Sequence, residues 1–149
     1  MNDDEKWMQI ALNESIAAKN EDEIPVGAVL VRNGKLIAKA HNQPISTNDP
    51  TAHAEIQVIR KAGKTEKNYR LVGATLYVTL EPCLMCIGAL VHARIDRVVY
   101  GANDNKNKSY TTIKDISNTN QFNHRIIVTG GVLEKQCQEI LKSFFELRR

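Results

Sequence analysis

The sequence predicts one α/β domain, residues 1–149, with helices on both faces of a central sheet. Three observations lead there. Short apolar, β-branched runs alternate with stretches whose apolar residues recur every three or four positions. A strand, a helix and a strand follow one another between residues 74 and 101, the order of a parallel crossover. With 42% apolar residues over 149 positions, the chain can bury a real core.

The elements follow in order. Asp3 to Lys19 reads as an amphipathic helix, with Met8, Ala11, Leu12, Ser15 and Ile16 on one face. "VGAVLV" and "KLIAKA" read as strands, and Asn33-Gly34 between them signals a tight hairpin. A polar loop, "HNQPISTNDPT", comes next. Asp49-Pro50 predicts a helix start, with Asp as cap and Pro in the first turn, and the helix is expected to stop at Gly63. "ATLYVTL" predicts a strand, Pro82 opens the helix "PCLMCIGALVHA", and "DRVVYG" predicts the next strand. Residues 102–120 are rich in Asn, Lys, Ser and Thr and read as a long loop, with room for a short helix near Ile113 to Ile116. "RIIVTG" predicts a last strand and "LEKQCQEILKSFFELRR" an amphipathic helix.

Composition narrows the class. A charged share of 25% and a net charge of +3 fit a globular protein that tolerates an anionic partner without requiring one. The longest apolar runs, such as Val26 to Val31, are far too short to cross a bilayer, so no membrane partner is expected. The acidic opening "MNDDEKW" does not read as a secretory signal, and three cysteines do not make a disulfide framework. A cytoplasmic location is expected.

The chemistry concentrates in two short stretches, "TAHAE" and "EPCLMC". Cys83 and Cys86, three apart, share a face of the helix that Pro82 opens, where the positive helix terminus favours thiolate. Alone they fit a redox pair, a structural metal corner or packed thiols. His53, at the start of the preceding helix, offers a third ligand, and three protein ligands leave a zinc ion one open position. His41, His92, His124 and Cys137 are the candidates for a fourth ligand, but none has ligand spacing to the others. His53 and Glu55 lie about 200° apart on a regular helix, so the motif needs a helix terminus, where the first side chain departs from the regular direction. Glu55 is then free to act as the acid/base group. A zinc-bound water has its pKa lowered from about 15.7 toward 7. Glu55 would take its proton, deliver it to a ring nitrogen and later protonate a leaving amine. The reaction implied is hydrolytic deamination at an amidine-like carbon.

"HAE" followed by "PCLMC" resembles the zinc-dependent cytidine deaminase superfamily, whose signature is an established case of chemistry on a flipped-out base. Within it, "EIPVGAVLV", "DPTAHAEI", "NYRL", "ATLYVTLEPCLMCIGAL", "RVVYGA", "FNHR" and "FFELRR" are similar to the bacterial tRNA-specific adenosine deaminase family over nearly the whole chain. The resemblance implies a three-layer α/β/α cytidine-deaminase-like fold, with a mixed five-stranded sheet flanked by helices. It implies a homodimer with one zinc per subunit, held by His53, Cys83 and Cys86, and Glu55 as proton shuttle. The implied substrate is the wobble adenosine of a tRNA anticodon stem-loop, an arginine tRNA, converted to inosine by attack of water at C6. Asn42 would contact the target base and ribose, and Val26 would wall the pocket. Ala54 and the Pro82-Cys83 segment would position water or base. Asp104, Lys106 and Phe145 would meet the flanking nucleotides, and Asn123 and Arg125 the RNA. One departure stands out: after Asp104 the family's glycine-rich loop is replaced by "NKNKSYTT".

Two other functions compete. A deaminase of a free base or nucleotide (guanine, cytosine or deoxycytidylate) would share the metal residues, but "FNHR" and "FFELRR" argue against it. A zinc-stabilised RNA-binding module without catalysis would have no need of Glu55.

Overall fold

A computed structural model describes residues 1–104 and 124–148. Helix α1 (Asp3–Asn20) opens with a reciprocal cap. The Asn2 side chain accepts the Glu5 N–H at 2.9 Å, and the Glu5 carboxylate accepts the Asn2 N–H at 3.1 Å. Strands β1 (Gly27–Arg32) and β2 (Lys35–His41) form the predicted hairpin. Asn33 and Gly34 both adopt positive φ, at 52° and 73°, which is the turn chemistry this dipeptide favours. A one-turn helix, α2 (Pro44–Thr47), lies inside the stretch read as loop. Then follow α3 (Ala54–Glu66), β3 (Thr75–Leu80), α4 (Leu84–His92), β4 (Arg97–Ala102), β5 (Ile127–Thr129) and α5 (Glu134–Glu146).

The sheet is five-stranded and mixed, in the order β2-β1-β3-β4-β5. β1 is antiparallel to β2 and β3, while β3, β4 and β5 run parallel. Alternate residues of each strand feed opposite layers. Ala28, Leu30, Leu76, Val78 and Val98 pack under Val58 and Ala62 of α3 and Ile87 and Leu90 of α4. Val29, Val31, Tyr77 and Val99 pack under Met8, Ala11 and Leu12 of α1 and Cys137 of α5. Both faces are covered, which is why these strands read as continuous apolar runs. α5 sits close on β4: a Cβ at Gly101 would overlap the Cys137 Sγ, so only glycine lets that helix down.

Three boundaries differ from the sequence reading. The helix expected from Asp49-Pro50 begins at Ala54, because Asp49 caps a tight turn instead, accepting the Thr51 N–H at 2.9 Å and its hydroxyl at 2.7 Å. That helix does not stop at Gly63; it runs to Glu66 and ends in a left-handed Lys67, φ 52°. The helix expected from Pro82 begins at Leu84. The short helix expected near Ile113 to Ile116 lies outside the described residues.

Candidate metal centre and active site

α3 and α4 lie side by side on one face of the sheet and share the core beneath them. Each begins the same way. His53 is the residue before α3, with extended backbone (φ −69°, ψ 156°), and Cys83 is the residue before α4, also extended (φ −76°, ψ 173°). At such a position the side chain is not bound to the helical direction. His53 can therefore turn toward Cys83 while Glu55, two residues on, projects from the first turn. This resolves the spacing problem of "HAE".

The His53 Nδ1 atom lies 3.7 Å from the Cys83 Sγ and 3.5 Å from the Cys86 Sγ. All three donor atoms fall within 4.8 Å of one another. Tetrahedral zinc, with zinc–sulfur near 2.3 Å and zinc–nitrogen near 2.05 Å, requires nitrogen and sulfur about 3.6 Å apart. The donor set and its spacing fit that ion. Among the described residues no other His, Cys, Asp or Glu joins the group. The candidates for a fourth ligand are engaged elsewhere. His41 lies between Glu14 (3.4 Å) and Glu21 (2.6 Å), and His124 Nε2 meets the Ile95 carbonyl at 2.7 Å. His92 ends α4, and Cys137 is buried on the other face of the sheet.

The local charges fit the chemistry. Hydrogen bonds from Cys86 and then His53 pull the Cys83 thiol down to about 4, so it is a thiolate at neutral pH. The same contact with Cys83, together with burial, pushes Cys86 up. The metal-free pair thus keeps one proton, which metal binding would release. The hydrogen bond to Cys83 raises His53. Glu55 is 4% exposed, and burial pushes its carboxyl up to about 7. A carboxyl there can both take and give a proton near neutral pH.

Asn42 stands behind this centre. Its Oδ1 accepts the Ala54 N–H at 2.8 Å, and its own N–H donates to the Val26 carbonyl at 3.1 Å. The side chain thereby caps the helix that carries Glu55, a role the sequence reading did not give it. The Ala54 N–H, expected to position water or base, donates to the Asn42 side chain. The Val26 side chain belongs to the buried core with Ala28 and Ala54. Pro82 is buried next to Cys83. Asp104 is half-buried, its N–H donating to the Glu81 carboxylate at 3.2 Å. Arg125 is exposed, and Phe145 packs edge-on against Phe144, 5.4 Å between ring centres. Lys106 and Asn123 lie outside the described residues.

Glu23 was missed by the sequence reading. It is 1% exposed, and its two oxygens accept the N–H groups of Ile45 (3.1 Å) and Ser46 (2.7 Å). These bonds fasten α2, next to Asn42, to the loop after α1. A charge flanked by other acids gives no sequence signal of burial.

Comparison with known proteins decides the family. The model of the cytidine and deoxycytidylate deaminase zinc-binding region matches residues 1–102. The tRNA-specific adenosine deaminase of Bacillus subtilis (strain 168) is 47% identical over 150 residues, covering 100% of this chain and 93% of that protein. The chain belongs to the tRNA-specific adenosine deaminase family, within the zinc-binding cytidine and deoxycytidylate deaminases. A Haemophilus influenzae tRNA-specific adenosine deaminase is 46% identical, covering 98% of this chain and 85% of its own. Among solved structures, one from a study of A-to-I editing by tRNA:A34 deaminases superposes with a TM-score of 0.86. It is 44% identical, and the match covers 91% of this chain and 99% of that one. The guanine deaminase from Bacillus subtilis is 40% identical at a TM-score of 0.67, covering 73% of this chain and 69% of that one. Among the described residues, no helix is long and apolar enough to cross a membrane.

Proposed function

We propose that this protein converts the wobble adenosine of a tRNA anticodon, that of an arginine tRNA, to inosine by hydrolysis. It does so in the cytoplasm, as a homodimer with one zinc per subunit. The observation that carries the reading is the His53–Cys83–Cys86 group beside a buried Glu55, in a chain whose full-length relatives are named for tRNA adenosine deamination. The solved structure from the study of wobble-position A34 editing supports the choice of base. The exposed Leu84 and Met85 on the outer face of α4 support a subunit contact there.

In this mechanism His53, Cys83 and Cys86 would hold zinc, which would supply Lewis-acid activation of water. Glu55 does the proton work. It would accept a proton from the attacking water and pass it to the purine ring nitrogen, then take the second proton from the hydroxyl added at C6 and give it to the departing amine. Its burial keeps bulk water from competing for that proton. Asn42 holds the first turn of α3 through Ala54, and its Nδ2 group remains as a donor toward base or ribose. The anticodon loop suits such a site because an unstacked base costs little to extrude, a few kcal/mol at most.

The test is an anticodon stem-loop with adenosine at the wobble position, incubated with zinc-loaded protein. Reverse transcription should read guanosine at that position. The likeness to guanine deaminase favours a second reading, hydrolysis of a free base. Guanine and cytosine run in parallel therefore decide between them: release of ammonia from free bases alone overturns the RNA reading.

A further inference from the structure

Positive charge is not spread evenly over this chain. Segments 32–39 and 60–70 hold eight Lys and Arg against one acidic residue, Glu66, whereas the whole chain nets only +3. The fold puts the two segments together. α3 packs along β2, the edge strand, and the Lys61 ammonium donates to the Lys39 carbonyl at 3.1 Å. Arg32 pairs with Glu66 at 2.5 Å and donates to the Val72 carbonyl at 2.9 Å. Beside them Arg32, Glu66, Asn68, Arg70 and Val72 line a cleft of about 440 Å³. Lys35, Lys39, Lys61, Lys64, Lys67 and Arg70 are all exposed.

The position of this face matters as much as its charge. α3 runs from His53 and Glu55 at the metal centre to Lys64 and Lys67 at its other end. Thirteen residues at 1.5 Å each make about 20 Å. That exceeds a Debye length of about 8 Å at physiological ionic strength, so these lysines do nothing for a base in the site itself. They can act only on a part of the ligand that extends well beyond it. Leu36, Tyr69 and Val72 are exposed among these charges, but a face so rich in lysine, a residue depleted at protein interfaces, suits a phosphate backbone better than a protein partner.

We propose that the basic face of α3 and β2 is a docking surface for the duplex phosphates of the RNA whose loop enters the metal site, which for a tRNA means the anticodon stem. This rests on the tRNA reading. Contacts of this kind fix orientation without reading sequence. They divide the work: the loop is read at the metal centre, and the stem is held about 20 Å away.

The experiment pairs Lys64→Glu/Lys67→Glu with a control of equal charge change on the opposite face, Lys6→Glu/Lys135→Glu. Zinc-loaded proteins are assayed on an anticodon stem-loop and on a single strand of the same loop bases. For the α3 pair, KM on the stem-loop should rise about tenfold or more, and at least five times more than KM on the single strand. The dependence of log K on log salt should become shallower by about 2 for the stem-loop. An equal change on both RNAs, no change, or the same loss from the control pair overturns the proposal. If wild-type protein deaminates neither RNA, the functional reading fails on its own. Direct titration with a blunt RNA duplex then judges the surface: weakened binding by the α3 pair alone supports it, and unchanged binding overturns it.

Discussion

At its first turn α3 buries a carboxylate against two cysteines and a histidine; at its last turn it holds lysines out in water. Glu55 is 4% exposed, while Lys64 in the last turn and Lys67 just after it are exposed. The two ends obey different physics. Desolvation dominates the first turn and moves proton affinities, so small changes there alter chemistry. Screening dominates the last turn, where charges act additively and weakly on whatever lies close. Damage at the first should abolish turnover, and damage at the second should change only how RNA is held.

The strongest way to break this contrast is Glu55→Ala. Turnover should fall by about three orders of magnitude or more while zinc content, read by elemental analysis, stays at wild-type level. An active Glu55→Ala enzyme would remove the proton shuttle from the account. Next comes Asn42→Ala, which leaves the Ala54 N–H without its acceptor and takes away the Nδ2 donor. We expect kcat/KM to drop roughly tenfold to a hundredfold, and denaturant unfolding to show a loss of about 1 kcal/mol.

Acidity probes the first turn more gently. The Glu55 carboxyl is raised to about 7 from an ordinary 4.5. A raised carboxyl favours the protonated fold, so its contribution to stability is fully present below about 4.5 and is lost as pH rises through about 7. Chelated protein should therefore become less stable across that window, and Glu55→Gln should flatten the profile. The mildest probe lies nearer the other end. Gly63 sits inside α3 with negative φ, and a Cβ there would meet only the Asn68 carbonyl at ordinary contact, 3.5 Å. Gly63→Ala should raise stability by about 0.5–1 kcal/mol in thermal unfolding and leave catalysis untouched.

The same helix shows what could be read in advance. That His53 meets Cys83 and Cys86 with Glu55 close by was legible because "HAE" and "PCLMC" need so particular a set of residue types. The central strands were legible because burial on both faces leaves an unbroken apolar run. The helix ends were not. Asp49-Pro50 has the chemistry of a helix start, yet the Asp49 side chain is used up by Thr51, and the chain waits until His53. Gly63 has the chemistry of a stop, yet the packing of Val58 and Ala62 on the sheet carries the helix past it. The roles of Asn42 and Glu23 depend on amides distant in sequence, at Ala54 and at Ile45 and Ser46, and no local pattern encodes such partners.

The close seat of α5 on Gly101 has a practical side. It seals the Cys137 sulfur away from solvent, and burial raises that thiol to about 12, where it is inert to alkylating reagents at neutral pH. If zinc holds the other two sulfurs as proposed, a native sample should offer a thiol dye almost nothing to react with. Adding a chelator should then develop colour from Cys83, and later Cys86, so this chain carries its own gauge of how fully it is loaded.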